Sequence, residues 1–475
     1  MDKQYFLNQT TAIFIILSLS VLFVLIGVFY SRKFQGINNY LLANRSLGTV
    51  SLTSSLTASA LGTWILFGPA SAATWGGIGA VIGYALGTAF PLFILIFLSE
   101  KFRKFYPNCR TLIEVIRLKY GKNLYKLILL MSIFYMTIFL IAEVTAVAVL
   151  INYISGTKLW ITALIVILSS LIYTLYGGLR ASIFTDSIQF TILLIIIIIS
   201  FYYLFSFNES QFSFEFIRQN KPYLLSSNYL PNFTAGITFF IAVAATNLFH
   251  QGNWQRVYAA KSLKVLKRSL IISFTIIIPI VFLMGFSGLV SISSNSNIIP
   301  DLAFFEILFK DKFFTLYVII IFLAISLTVS SIDTIINAIS SLIIVDGAKI
   351  IKFSNTFKTS KKFIVAISLI AFFISSKGLS ILYLFLIADL LCCAAVLTIF
   401  YGFYNRSFST KRAYFSIIIG LFFGLLLFPN EDFSKSILVG ILFPLDLFPI
   451  FIKESLLFLS FLAATFTPLT TWKLK

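Results

Sequence analysis

Residues Phe313–Val345 read FFTLYVIIIFLAISLTVSSIDTIINAISSLIIV. This run of about 33 residues holds one acid and no base. A membrane-spanning helix needs only ~20 apolar residues. The polar residues are ordered: Ser326, Ser330, Asp333, Asn337, Ser340 and Ser341 recur at steps of three or four. On a helix they fall within an arc of roughly 100°. A helix in hydrocarbon gains nothing from such an arc unless that face meets protein, water or an ion. Hydroxyl, carboxylate and amide oxygens are the donors a hard cation such as Na⁺ takes. The same residues would serve a seam between packed helices. This stretch alone leaves both readings open, and the Asp points toward an ion.

The rest of the chain has the same character. It is 59% hydrophobic and 11% charged, with a mean hydropathy of +0.98, against ~25% charged residues in soluble proteins. That composition predicts an all-α polytopic membrane protein embedded in a lipid bilayer. Thr10–Tyr30 is too long for a signal segment and lacks a small-residue cleavage site, so it reads as a true span. The net charge of +19 does not indicate a nucleic-acid partner, because the excess sits in short loops. Loops assigned alternately along the chain put 27 of the 36 Lys and Arg on one side, among them the five bases from Arg256 to Arg268. By the positive-inside rule this predicts a multi-pass protein of the plasma (inner) membrane with its N-terminus outside and its C-terminus cytoplasmic. Three scattered cysteines and one histidine offer neither a disulfide framework nor a metal cluster.

About thirteen spans are predicted: 9–30, 47–71, 75–99, 123–154, 158–176, 183–206, 233–251, 269–292, 313–345, 363–376, 380–404, 413–428 and 453–471. The run 437–451, short and holding two prolines and an Asp, reads as a half-inserted segment. The whole chain, 1–475, forms one membrane domain: a leading span 9–30, repeats 47–206 and 233–404, and C-terminal spans 413–475. No loop is long enough to fold alone, no phosphate-binding GxxxxGK[ST] loop occurs, and no obligatory protein partner is indicated. Setting the first span aside, the ten that follow pair at intervals of five, hence in opposite orientation. The first and sixth (47–71 and 233–251) are both polar and interrupted, and the third and eighth are both long. Interrupted helices at matching positions of inverted halves point to a transporter's binding site.

Intramembrane acids are few: Glu143, Asp186, Asp333 and Asp389. No Lys or Arg is expected within a core span to pair with them, so they must be protonated, hydrated or bound to a cation. Asp186 falls near a span end, where a solvated boundary position is the alternative.

The stretch IYTLYGGLRASIFTDSIQF (Ile172–Phe190) resembles the signature of the sodium:solute symporter family, through Tyr173-Thr174, Gly177-Gly178, Thr185-Asp186 and Gln189. NYLLANRSLGTVSLTSSLTASALGTWILFGPAS, TLIEVIRLKYG and NLFHQGNWQRVYAAKS resemble three further motifs of that family, in the same order. The resemblance spans roughly residues 38–405. It implies a leucine-transporter-like inverted repeat of five plus five helices, with Na⁺ as the transported coupling ion. It also implies a sodium site formed by the carbonyls of Ala58, Leu61 and Leu327 with Ser330 and Ser331, an ion exit route past Asp186, and Gln251 facing the substrate cavity. Ser59, Trp64 and Tyr84 are the remaining cavity candidates; Glu143, Asp333, Asn337 and Asp389 are other intramembrane polar residues of open role. Ala60 stands where proline carriers hold an Asp, and the likeness to the urea-type branch is weak. The implied activity is symport of a small polar organic solute with Na⁺, not catalysis. The alternatives are a proton-coupled carrier working through Glu143 or Asp389, and a solute sensor built on a transporter fold.

Overall fold

The protein was analysed as a computed structural model. It describes residues 5–32, 36–207, 211–310, 313–351, 355–405, 408–431 and 455–473, with Phe433, Lys435, Ser436, Leu438 and Ile452 between the last two stretches. The expected half-inserted segment 437–451 lies outside the described residues apart from Leu438. In chain order the helices are α1 (Gln9–Ser31), α2 (Ile37–Leu42), α3 (Thr49–Ala60), α4 (Gly68–Phe105), α5 (Leu112–Tyr120), α6 (Lys122–Ser155), α7 (Leu159–Phe207) and α8 (Phe214–Asn220). They continue with α9 (Leu230–Phe249), α10 (Gln251–Ala259), α11 (Leu263–Ser294), α12 (Ala303–Leu308), α13 (Phe314–Ser341), α14 (Thr356–Ser375), α15 (Ile381–Tyr404), α16 (Thr410–Leu427) and α17 (Leu456–Phe466). Nine helices among the described residues are long and apolar enough to cross a membrane: α1, α4, α6, α7, α9, α11, α13, α15 and α16.

α13 is the central helix. Every residue from 323 to 346 is buried, on all sides. It packs against α1, α3, α6 and α7, so its hydroxyl stripe meets protein and not lipid. Past Ser341 it widens into a π-turn, Leu342–Asp346. Lipid-facing positions lie on the rim, as at Phe14, Ile198, Phe373 and Phe422.

Two long helices each turn at a glycine: α7 is two spans, whereas residues 68–76 of α4 complete the interrupted span that α3 begins and the rest of α4 is a span of its own. A straight helix of 49 residues would run about 73 Å, more than twice the ~30 Å hydrocarbon core. α7 breaks at Gly178 (φ 57°), a backbone region open to glycine. A Cβ there would strike Tyr40, whose hydroxyl meets Ser340 at the far end of α13. Tyr203, near the end of α7, packs on Phe313 at the start of α13. The second half of α7 therefore runs from the Tyr40 end of the bundle to the Phe313 end. α4 breaks likewise at Gly77 (φ 58°). Beyond it Gly79, Gly83 and Gly87 lie against the α9 backbone at Asn232, Gly236 and Phe239–Phe240, the close approach that small residues allow in membranes.

The two interrupted helices run antiparallel. Leu47, before α3, accepts from and donates to the backbone at Lys261 and Ala259, after and at the end of α10. At the opposite end Tyr229, before α9, donates its hydroxyl to the Trp75 carbonyl. Each is broken near its middle, one at Leu61–Gly62 and the other at His250.

Candidate functional site

α3 stops where Leu61 leaves helical geometry (φ −105°, ψ 72°) and Gly62 is extended. The last four carbonyls of a helix have no partner within it. Those of Ala58, Ser59, Ala60 and Leu61 accept no hydrogen bond among the described residues. They form the negative end of the helix dipole. α13 lies opposite: the Thr63 and Thr328 hydroxyls meet at 2.6 Å. The Ser331 hydroxyl is buried without a partner, and a Cβ on Gly62 would run into it. Ser330, one residue back, donates to Asp186 Oδ1 at 2.6 Å.

Below this break lies a buried ion pair. Asp186 Oδ2 accepts from Ser55 Oγ (2.6 Å) and from Arg256 Nη2 (2.8 Å). The Asp186 and Arg256 side chains are both fully buried. Arg256 also donates to Ser55 Oγ through Nε, to the Gly252 carbonyl through Nη1 and to Thr334 Oγ1 through Nη2. This sets aside one alternative and corrects one expectation. Asp186 is not a solvated boundary residue. Arg256 is not a loop base: α10 continues the broken helix toward the Tyr40 end and carries the guanidinium under the site. One turn along α13, Asp333 is buried too. It accepts from the hydroxyls of Tyr173 (2.5 Å) and Ser182 (2.8 Å) and makes no ion pair among the described residues. Asn337 is buried with neither amide atom partnered.

Above the break is a cavity lined by Ser59, Trp64, Tyr84, Glu143, Ser331 and Asp389, with Phe139, Thr246, His250 and Phe385 among the other walls. Trp64 stacks on Tyr84 and Tyr84 on Phe239, while Phe139 and Phe385 meet edge to face. Glu143 and Asp389 are 2% and 4% exposed. Neither makes an ion pair among the described residues, and no Lys or Arg lines the cavity. Ser59, Trp64 and Tyr84 thus come together as read from the sequence, joined by Glu143 and Asp389. Gln251 does not line the cavity. Its amide accepts from the Leu112 backbone N–H (3.1 Å) and donates to Ser341 Oγ (3.3 Å), tying α5 to the end of α13. The reason is the break itself: His250 faces the cavity and the next residue opens α10. Sequence reasoning missed Arg256, Phe139 and Phe385. An acid expected in a span without a counter-charge was the signal for the first.

The sequence pattern of the sodium:solute symporter family matches residues 40–420. The chain belongs to that family. It is a sodium-coupled secondary transporter of a small organic solute that works by alternating access within a helical bundle, and not an enzyme. It is 25% identical over 418 residues to the spermidine transporter DUR31 of Candida albicans, covering 86% of this chain and 79% of that protein. Identity to the urea active transporter of Saccharomyces cerevisiae is 21% over 252 residues, 50% of this chain and 34% of the other. Identity to the sodium/proline symporter of Haemophilus influenzae is 29% over 203 residues, 40% of this chain and 39% of the other. Among solved structures, the chain superposes on a Na⁺-coupled sialic acid symporter in a substrate-bound outward-open state with a TM-score of 0.68, 18% identity and 97% of both chains. It superposes on Mhp1, a nucleobase-cation-symport-1 family transporter in a closed conformation with bromovinylhydantoin bound, with a TM-score of 0.58, 14% identity, and 92% and 95% coverage. Both likenesses are of fold.

Proposed function

We propose that this symporter carries an organic amine together with Na⁺. The observation that carries the reading is the cavity: two buried carboxylates, Glu143 and Asp389, face it between aromatic walls with no Lys or Arg among the described residues that line it. Unpaired carboxylates in low dielectric favour a cation, and aromatic faces add cation–π attraction for an ammonium. A relative covering most of the chain is named for spermidine, itself a polyamine.

Na⁺ sits at the α3 break, on the Ala58 and Leu61 carbonyls, the Leu327 carbonyl and the hydroxyls of Ser330 and Ser331. Ser330 donates its proton to Asp186, which leaves its oxygen lone pairs free for a cation. Asp186 lines the exit, with Asp333 and Asn337 further along. The antiparallel broken helices support a five-plus-five inverted repeat. Joining α3 to the start of α4 as one span, counting each half of α7, and adding α14 and α17 supports about thirteen spans. Basic loops assign the Tyr40 end to the cytoplasm, with the N-terminus outside and the C-terminus inside. One Na⁺ and one monoamine bring in two charges. At 100 mV and a tenfold sodium gradient this supplies about 6 kcal/mol, enough for roughly 10⁴-fold accumulation.

The test is uptake of radiolabelled spermidine by proteoliposomes under an inward Na⁺ gradient. Uptake should compete with putrescine and not with urea or proline, and Asp389→Asn should lower it at least tenfold. Urea or proline uptake without amine uptake would overturn the amine reading.

A further inference from the structure

Glu143 is the single acid on α6. Its Oε2 accepts the Thr63 backbone N–H at 2.9 Å. Thr63 opens the segment beyond the break, so this N–H is an orphan donor at the positive start of that turn. Its other oxygen, Oε1, is directed at the gap beside Gly62. A Cβ on Gly62 would collide with Glu143 Oε1 and Ser331 Oγ together, so the two oxygens flank one point at the residue that follows Leu61, whose carbonyl accepts no hydrogen bond among the described residues. Cation–oxygen distances of about 2.4 Å allow two ligands of one ion to lie up to about 5 Å apart, and this pair is close enough. Ser331 Oγ is the independent sign of a missing ligand, being buried, unpartnered and turned into the same gap. Gly62 keeps the gap open.

We infer that the Glu143 carboxylate is a ligand of the sodium ion, a charged oxygen that α6 adds to the carbonyls of α3 and the hydroxyl of α13. This rests on the sodium site proposed above. It gives the ion a full counter-charge, which a site of carbonyls and hydroxyls lacks. Because Glu143 also lines the cavity, the carboxylate stands between ion and solute. Sodium on one side then fixes the charge and the rotamer that an ammonium meets on the other, while Asp389 remains free for the amine.

The experiment measures the thermal stability of the purified protein across a NaCl series balanced with KCl, and takes the Na⁺ concentration giving half the maximal rise in Tm. Glu143→Gln keeps an oxygen for the Thr63 N–H and should raise that midpoint at least tenfold. Glu143→Asp, which keeps the charge, should raise it less, and supplies the result if the Gln variant does not fold. Asp301→Asn, at a half-buried acid outside the cavity that accepts from Ser71 Oγ and the Ile381 N–H, should stay within twofold of wild type. If Ser331→Ala moves the midpoint tenfold and Glu143→Gln leaves it within twofold, Glu143 is only a cap for the Thr63 turn and the inference fails alone. If neither variant moves it, the sodium site fails and this inference with it.

Discussion

Ser330 and Ser331 are neighbours with different tasks, because consecutive side chains on a helix point about 100° apart. Ser330 turns to Asp186 and Ser331 to the break in α3. The hydroxyl periodicity of α13 made Ser330 legible and left Ser331 at the edge of the stripe; only its orphaned oxygen beside Gly62 shows why the edge matters. Ser331→Ala should therefore raise the half-saturating sodium of uptake at least tenfold with little change in the Tm measured without Na⁺, and unchanged sodium dependence would remove the assignment. Arg256 was hidden for a different reason. A base following Gly-Asn-Trp-Gln looks like a loop charge, and its burial depends on where α9 breaks. Removing one partner of a buried pair costs about 3–5 kcal/mol because the other charge is left alone. Arg256→Met should lower stability by that order, and Arg256→Met with Asp186→Asn should recover more than half of the loss. Additive losses in the thermal unfolding of the two single variants and the double would contradict the pairing.

At the scale of elements, the interruptions were readable and their exact register was not. Gly and Pro mark where α3 gives way, but which of His250 and Gln251 enters the cavity turns on a single residue. The structure puts Gln251 into a clasp at the Tyr40 end. Thr111 caps α5 by accepting from the Glu114 N–H and donates its hydroxyl to Asp346 Oδ2 at 2.7 Å. Tyr125 donates to the Asp346 carbonyl, and Lys349 pairs with Glu114. The clasp therefore grips the π-turn that follows α13. Cys109 lies just before α5, buried, and burial pushes its thiol up to about 12. Almost none of it is thiolate at neutral pH, so maleimide should react slowly and faster as pH rises. With Cys392 and Cys393 replaced by Ala, Thr111→Val should loosen the clasp and speed Cys109 labelling at least fivefold at pH 7. An unchanged rate would mean that this contact does not hold that end closed.

For the whole molecule, hydropathy was enough to read the membrane and the helices, and contiguous motifs were enough to read the family resemblance. The cavity could not be read that way. Trp64, Glu143, Ser331 and Asp389 come from four separate elements, and their charge balance exists only once those elements are packed. On that balance rests the proposal that the solute is a cation. The most direct test follows labelled spermidine and ²²Na⁺ together in the same proteoliposomes. Each should stimulate entry of the other in a fixed ratio, and both stimulations should need at least tenfold more Na⁺ in Ser331→Ala. Spermidine entry that is indifferent to replacing Na⁺ by K⁺, or sodium entry that ignores the amine, would contradict the account.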